Sequence, residues 1–80
     1  MRLDVVVKPN CPSCDDARQV AIAVGERFPD LSVRVIELDG REPPPEPVVA
    51  TPTYLLDGRV VSLGNPAVEQ LARAIRSNRR

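Results

Sequence analysis

The chain contains no histidine, no tryptophan and only two cysteines among its 80 residues. Without histidine, a Cys–His catalytic pair cannot form within the chain. A structural zinc site usually takes four Cys or His ligands, so two cysteines would hold zinc only in a dimer or with ligands from a partner. These absences leave two main uses for the cysteines, which are thiol–disulfide chemistry and a purely structural pair.

The sequence also lacks an excess of charge and long apolar runs. Its 11 Lys and Arg residues balance 11 Asp and Glu residues, which removes the basic footprint of a nucleic-acid-binding domain. No apolar run approaches the length of about 20 residues that a transmembrane helix needs. The segment at residues 1–7 is too short for a secretory signal and carries Asp4. We therefore expect one domain over residues 1–80, a cytoplasmic monomer with neither nucleic-acid nor membrane partners.

The first half of the chain predicts a strand, a helix and a second strand. Leu3, Val5, Val6 and Val7 are apolar and β-branched enough for a buried strand, which Pro9-Asn10 ends. A helix begins near Pro12, and Pro29-Asp30 ends it. Its apolar positions recur at three- and four-residue spacing: Ala17, Val20, Ala21, Val24 and Phe28. With a second strand at residues 33–38, this is a βαβ unit whose strands run parallel.

The stretch from residue 39 to residue 52 breaks the pattern, because it contains Pro43, Pro44, Pro45 and Pro47. Proline removes an amide donor and disfavours helix, so this stretch is predicted to be an extended loop. No helix is required there, since the connection crosses only about two strand spacings, roughly 10 Å. We expect the loop to pass over the end of the first strand, beside the cysteines.

The last third predicts a hairpin and a second helix. Residues 53–56 and 60–63 are interpreted as antiparallel strands joined by Asp57-Gly58, a strong signal for a tight turn. Gly64, Asn65 and Pro66 then supply a break, an N-cap and a first-turn proline. The helix has an apolar stripe made of Val68, Leu71, Ala72 and Ile75. The predicted order is β-α-β-β-β-α, an α/β fold with a four-stranded mixed sheet.

The two cysteines lie in a CxxC motif, Cys11-Pro12-Ser13-Cys14, at the predicted junction of the first strand and helix. The positive end of a helix dipole and its unpaired amide groups stabilise a thiolate at Cys11. Cys14 then lies one turn further along, close enough to attack a mixed disulfide formed at Cys11. A structural bridge is the alternative, although it would close a very short loop and would not be expected to persist in the cytosol.

Two segments together resemble the thioredoxin and glutaredoxin superfamily over essentially the whole chain. They are the CxxC motif after a buried strand and Ala50-Thr51-Pro52-Thr53 before the hairpin. The resemblance implies a minimal thioredoxin-like fold, with the proline-rich loop in place of the middle helix. It also implies that Pro52 follows a cis peptide bond and packs against the active-site disulfide. The backbone of Thr51 is then expected to pair with an extended substrate.

The resemblance to glutaredoxins is weaker at the positions that would hold glutathione. Lys8 matches a lysine that glutaredoxins often carry near the glutathione carboxylate, and a cation there would favour an ionised sulfur. Gly64-Asn65 stands where glutaredoxins usually have two glycines and an acidic residue, so Gly64 is only a weak glutathione-binding candidate. The chain also differs from thioredoxins, which have a buried acidic residue at the position of Val5.

The sequence therefore predicts a dithiol–disulfide oxidoreductase acting on protein or small-molecule disulfides. Cys11 and Cys14 are the catalytic pair, and the substrate-binding candidates are Lys8, Pro12, Ser13, Thr51 and Pro52. We expect no tightly bound cofactor or metal, with glutathione as a candidate co-substrate. The expected partners are a disulfide-containing protein or small thiol, and a reductase or glutathione. The alternatives are a glutathione-dependent glutaredoxin, a non-catalytic binding module of the same fold, and metal delivery or iron–sulfur holding through a shared site.

Overall fold

The computed structural model describes residues 1–38 and 50–78 of the chain. The elements follow the predicted order: β1 (Arg2–Val7), α1 (Pro12–Arg27), β2 (Ser32–Glu37), β3 (Thr53–Leu56), β4 (Arg59–Leu63) and α2 (Val68–Asn78). Each differs from its predicted bounds by a few residues at most. The prediction of a proline-rich loop falls largely on residues 39–49, which lie outside the described residues.

The four strands form one sheet in the order β2-β1-β3-β4. β1 pairs in parallel with β2, with Leu3 opposite Val33. It pairs antiparallel with β3, and there Val6 lies opposite Thr53. The predicted mixed sheet is therefore confirmed. Because β3 runs against β1, its amino end meets the carboxyl end of β1, and the segment around Pro52 lies at the edge of the sheet that leads to Cys11.

The hairpin between β3 and β4 turns as its sequence predicts. Asp57 and Gly58 have φ values of 49° and 86°, and two positive φ angles are what a two-residue type I′ turn requires. The pairing is irregular beyond the turn, because Leu55 lies opposite Val60 whereas Tyr54 lies opposite Ser62. This shift of register leaves Val61 as an extra residue on the edge strand, a bulge that the sequence did not predict.

The main core lies between the sheet and the two helices. On β1, Leu3, Val5 and Val7 share one face because side chains alternate along a strand, and all three are fully buried. They pack with the apolar faces of both helices: Cys14, Ala17, Ala21 and Val24 from α1, and Leu71, Ala72 and Ile75 from α2. Cys14 is therefore a core residue as well as half of the CxxC motif, so the core fixes where its sulfur lies.

The opposite face of β1 holds a small apolar cluster and a charged group. Val6 packs there with Leu55, and the buried Asp4 accepts hydrogen bonds from Arg2 Nε (3.1 Å) and Arg34 Nε (2.9 Å). Burial alone would raise the pKa of Asp4, but the hydrogen bond from Arg34 and the charges of both arginines outweigh it and lower the pKa below its ordinary value. The ionised Asp4 carboxylate therefore stabilises the folded state at neutral pH, and this contribution is lost as the pH falls through the lowered pKa.

The start of α2 differs from the prediction. Val68 is the first helical residue, and Gln70 Oε1 accepts a hydrogen bond from the N–H of Ala67 at 3.1 Å. Ala67 is therefore the N-cap, with the glutamine at N3 reaching back in half of a capping box. The predictions of Asn65 as N-cap and Pro66 as first-turn residue were wrong. The side chain of Asn65 makes hydrogen bonds elsewhere in the molecule, which are described below.

Candidate active site

Cys11 and Cys14 form a disulfide with a Cα–Cα distance of 5.2 Å. The two residues differ in exposure, since Cys14 is fully buried whereas Cys11 is partly exposed. Cys11 is the N-cap of α1, with extended backbone angles, and Pro12 occupies the first helical turn. The fixed φ of proline suits that position, where its missing N–H costs nothing. The sequence therefore places one accessible sulfur at the positive end of a helix.

An open cavity of about 520 Å³ lies beside Cys11, and Lys8, Asp15 and Arg18 contribute the charged groups of its wall. Arg18 Nη1 lies 2.9 Å from Asp15 Oδ1, and its Nη2 lies 3.7 Å from Glu37 Oε2. The negative charges of these two carboxylates therefore offset the positive charge of Arg18. Ser13, within the motif, has its Oγ 3.5 Å from Cys11 Sγ. The cavity gives a substrate room to approach the sulfur, and Lys8 supplies a positive charge there.

The segment before β3 lies at the same edge of the sheet. The peptide bond between Thr51 and Pro52 is cis, the isomer that the family resemblance implies. Pro52 is buried and Thr51 partly exposed. The carbonyl oxygen of Pro52 accepts a hydrogen bond from the N–H of Gly64 at 2.9 Å, and Thr53 Oγ1 donates to the carbonyl oxygen of Ala50. These contacts fix the segment on both sides of the proline.

Sequence reasoning missed two residues that join these parts. Asn65 donates from Nδ2 to the carbonyl oxygen of Ser13 at 2.8 Å, and its Oδ1 accepts a hydrogen bond from the hydroxyl of Tyr54 at 2.8 Å. Burial of the Tyr54 phenol, with a smaller contribution from the negative charge of Asp16, raises its pKa to about 12. Tyr54 is therefore a constant neutral donor at physiological pH. The only signal in the sequence was that Asn65 follows Gly64 at a glutaredoxin ligand position.

Within residues 1–38 and 50–78, no group of three or more His, Cys, Asp and Glu side chains is arranged to hold a metal ion. No helix in the same part of the chain has the length and apolar character to cross a membrane.

Comparison with known proteins decides the family. No family model matches the chain. The chain is similar to the protein named Thioredoxin from Methanocaldococcus jannaschii, with 30% identity over 80 residues that cover 95% of this chain and 93% of the relative. The chain belongs to the thioredoxin family. The resemblance seen in the CxxC and Thr51-Pro52 segments is thereby confirmed, and the four-stranded mixed sheet with two helices is a minimal thioredoxin-like fold.

Family membership and the adjacent cysteine pair support a thiol–disulfide oxidoreductase in general. This chain nevertheless lacks the buried acid expected of thioredoxins, because Val5 is fully buried among apolar side chains at that position. The neighbouring Asp4 is no substitute. It lies on the opposite face of β1, since strand side chains alternate, and two arginines already occupy its carboxylate.

Proposed function

We propose that this protein is a dithiol–disulfide oxidoreductase acting on protein or small-molecule disulfides, with Cys11 as the nucleophile and Cys14 as the resolving thiol. The observation that carries the proposal is the unequal exposure of two linked sulfurs. Cys14 is fully buried, whereas Cys11 is partly exposed at a helix N-terminus beside an open cavity. A purely structural bridge requires neither an accessible sulfur nor a cavity next to it.

The proposed reaction consists of two exchanges. The Cys11 thiolate attacks one sulfur of the substrate disulfide, and the S–S bond of the substrate breaks as the mixed disulfide forms. One substrate sulfur leaves as a thiolate and takes up a proton. Cys14 then loses its proton and attacks Cys11 Sγ, which releases the second substrate thiol and forms the Cys11–Cys14 disulfide. The substrate gains two electrons and two protons, and the protein dithiol loses them.

The second exchange proceeds without a histidine and without the acid found in thioredoxins. The chain contains no histidine, and Val5 occupies the position of the thioredoxin acid. We propose that the Cys14 proton passes to water or to the leaving substrate thiolate. This route is slower than transfer to a positioned carboxylate, because a matched acid or base accelerates proton transfer by about 10²–10⁴-fold.

The substrate-binding edge is assigned to the residues around Cys11. Thr51 is partly exposed next to buried Pro52, so its backbone is available to pair with an extended substrate as an added strand would. Pro12 and Ser13 follow Cys11 in the motif, and both are exposed, so a substrate at the sulfur could contact them. Lys8 is also exposed and lines the cavity, where its ammonium group would favour an anionic substrate or a thiolate.

Glutathione is a candidate co-substrate of the same site, because Lys8 places a cation beside Cys11. The weaker candidate, Gly64, already donates its N–H to Pro52, so a ligand would have to find other donors there. The proposal further includes a monomer in the cytoplasm, with electrons supplied by a reductase or by glutathione and with no tightly bound cofactor.

Trapping the first exchange tests the proposal. A Cys14→Ser variant incubated with oxidised glutathione, or with a protein disulfide such as insulin, should accumulate a mixed disulfide at Cys11, because the resolving thiol is missing. Intact-mass measurement and peptide mapping identify the adduct and its site. The matched control is Cys11→Ser, whose buried Cys14 should remain unmodified.

The outcomes of the trapping experiment distinguish between the candidate functions. An adduct with insulin but not with glutathione supports the oxidoreductase and rules out glutathione as co-substrate. Absence of any adduct at Cys11, or equal modification of Cys14 in the control variant, contradicts the assigned roles and favours the non-catalytic binding module.

A further inference from the structure

Asn65 joins three segments that are distant in sequence. Its backbone follows Gly64, whose N–H is held by the carbonyl oxygen of Pro52 at 2.9 Å. Its side-chain amide reaches 2.8 Å to the carbonyl oxygen of Ser13 in the CxxC motif. The hydroxyl of Tyr54 on β3 donates to the other end of that amide. One exposed side chain therefore connects the cis-proline segment, the sheet and the active-site turn.

The carbonyl group that Asn65 contacts belongs to a particular peptide unit. The side chain of an N-cap residue is placed to accept hydrogen bonds from the backbone N–H groups at N2 and N3, which here are Ser13 and Cys14 because Cys11 is the N-cap. The carbonyl of Ser13 and the N–H of Cys14 are the two ends of one peptide group. In the disulfide form this N–H donates to the carbonyl oxygen of Cys11 at 3.0 Å.

A hydrogen bond to the oxygen end of a peptide group strengthens the donor at its nitrogen end, because linked hydrogen bonds polarise one another. It also fixes the orientation of the group. The Ser13 residue held in this way carries a hydroxyl 3.5 Å from Cys11 Sγ. Two polar groups of the motif, the N–H of Cys14 and the hydroxyl of Ser13, therefore depend on the same peptide being held in place.

We propose that Asn65 is a positioning residue for the nucleophile, and that its hydrogen bond to the Ser13 carbonyl holds the active-site turn so that these two donors stabilise the Cys11 thiolate. This inference rests on the proposed function of Cys11. Tyr54 serves the same purpose one step further away. Its hydroxyl occupies Asn65 Oδ1, so the amide is oriented with its N–H₂ group towards Ser13.

The test is the pH dependence of alkylation of Cys11 in the reduced full-length protein by iodoacetamide, with the modified site located by mass spectrometry. Asn65→Leu keeps the approximate volume and removes the donor. We expect the midpoint of the Cys11 profile to rise by about half a unit to one unit, the size of one ordinary neutral hydrogen bond, because Asn65 acts on the sulfur only through the Ser13 peptide. The thiolate fraction at pH 6 then falls about three- to tenfold.

Two further variants separate positioning from general destabilisation. Asn78→Leu removes a comparable amide hydrogen bond, from Asn78 Nδ2 to Asp57 Oδ2, at the end of the molecule away from the cysteines, and should leave the midpoint unchanged. Tyr54→Phe should shift the midpoint in the same direction as Asn65→Leu but by less. If Asn65→Leu does not fold, Tyr54→Phe alone tests the inference. Misfolding is not expected, because Asn65 is exposed.

The outcomes distinguish this inference from the proposed function. A low Cys11 midpoint in the wild type that neither Asn65→Leu nor Tyr54→Phe moves would overturn the inference and leave the proposed function intact. A rise in the midpoint of Asn65→Leu that Asn78→Leu reproduces would likewise overturn the inference and leave the proposed function intact. A wild-type midpoint near 8.5, the ordinary value of a thiol, would contradict the proposed function and the inference together.

Discussion

Replacing Cys11 with serine is expected to reduce the catalysed rate of disulfide reduction to the uncatalysed level. A serine hydroxyl is hardly ionised at neutral pH and needs an adjacent base to become a nucleophile, and this chain has no histidine to provide one. The remaining sulfur of Cys14 is fully buried, so it cannot take over the attack. The measurement is the rate of insulin reduction with dithiothreitol as electron donor, compared with dithiothreitol alone.

Cys14→Ser is the matched comparison for this loss. It keeps the accessible sulfur, so it should form the mixed disulfide at Cys11 but depend on attack by dithiothreitol to release it, with turnover far below that of the wild type. If Cys11→Ser retained more than about a tenth of the wild-type rate, when loss of a nucleophile ordinarily removes nearly all catalysis, the assignment of Cys11 would be wrong. Equal behaviour of the two serine variants would contradict the division of roles between them.

The second large effect concerns stability. Leu71→Ala is expected to lower the free energy of unfolding by about 2–5 kcal/mol, the usual cost of a cavity left by a buried leucine. Leu71 is only 2% exposed and lies on α2, in the same cluster as Cys14. Because a domain of this size has roughly 4–12 kcal/mol of stability in total, the substitution removes a large part of it. Urea denaturation of the oxidised protein measures the change as a lower midpoint at an unchanged slope.

Leu63→Ala is the matched control for that cavity. It removes the same atoms from a leucine that is 59% exposed on β4, and surface changes of this kind usually cost less than about 0.5 kcal/mol. Comparable losses in the two variants would show that α2 does not pack against the sheet and α1 as described.

Local chemistry explains why much of this fold was predictable. Asp57-Gly58 specifies a type I′ turn through backbone angles that few other residues adopt, and the structure has both positive φ values. The apolar residues of β1 are buried on both faces of the sheet, as their residue types indicated. The CxxC motif was equally readable, because Pro12 favours a helix start and thereby places Cys11 at the N-cap.

Tertiary contacts explain what could not be predicted. Asn65 fits a helix N-cap by its residue type, yet it binds Ser13, 52 positions away in the sequence, and no local pattern encodes such a pairing. Ala67 is the N-cap of α2 instead, and the side chain of Gln70 accepts a hydrogen bond from its N–H. The bulge in β4 likewise arises from pairing with β3. The ion pair between Asp4 and Arg34 spans 30 positions, and it allows a carboxylate to be buried in a strand of mostly apolar residues.

The redox equilibrium of the Cys11–Cys14 pair in buffers of reduced and oxidised glutathione tests the central claim most directly. Quenching by rapid alkylation and mass analysis gives the fractions of dithiol, disulfide and glutathione adduct at each ratio. Reversible disulfide chemistry predicts a smooth transition between dithiol and intramolecular disulfide, with the same midpoint reached from either direction. A pair that remains a dithiol, or remains a disulfide, at every ratio accessible to a thiol buffer would contradict the account.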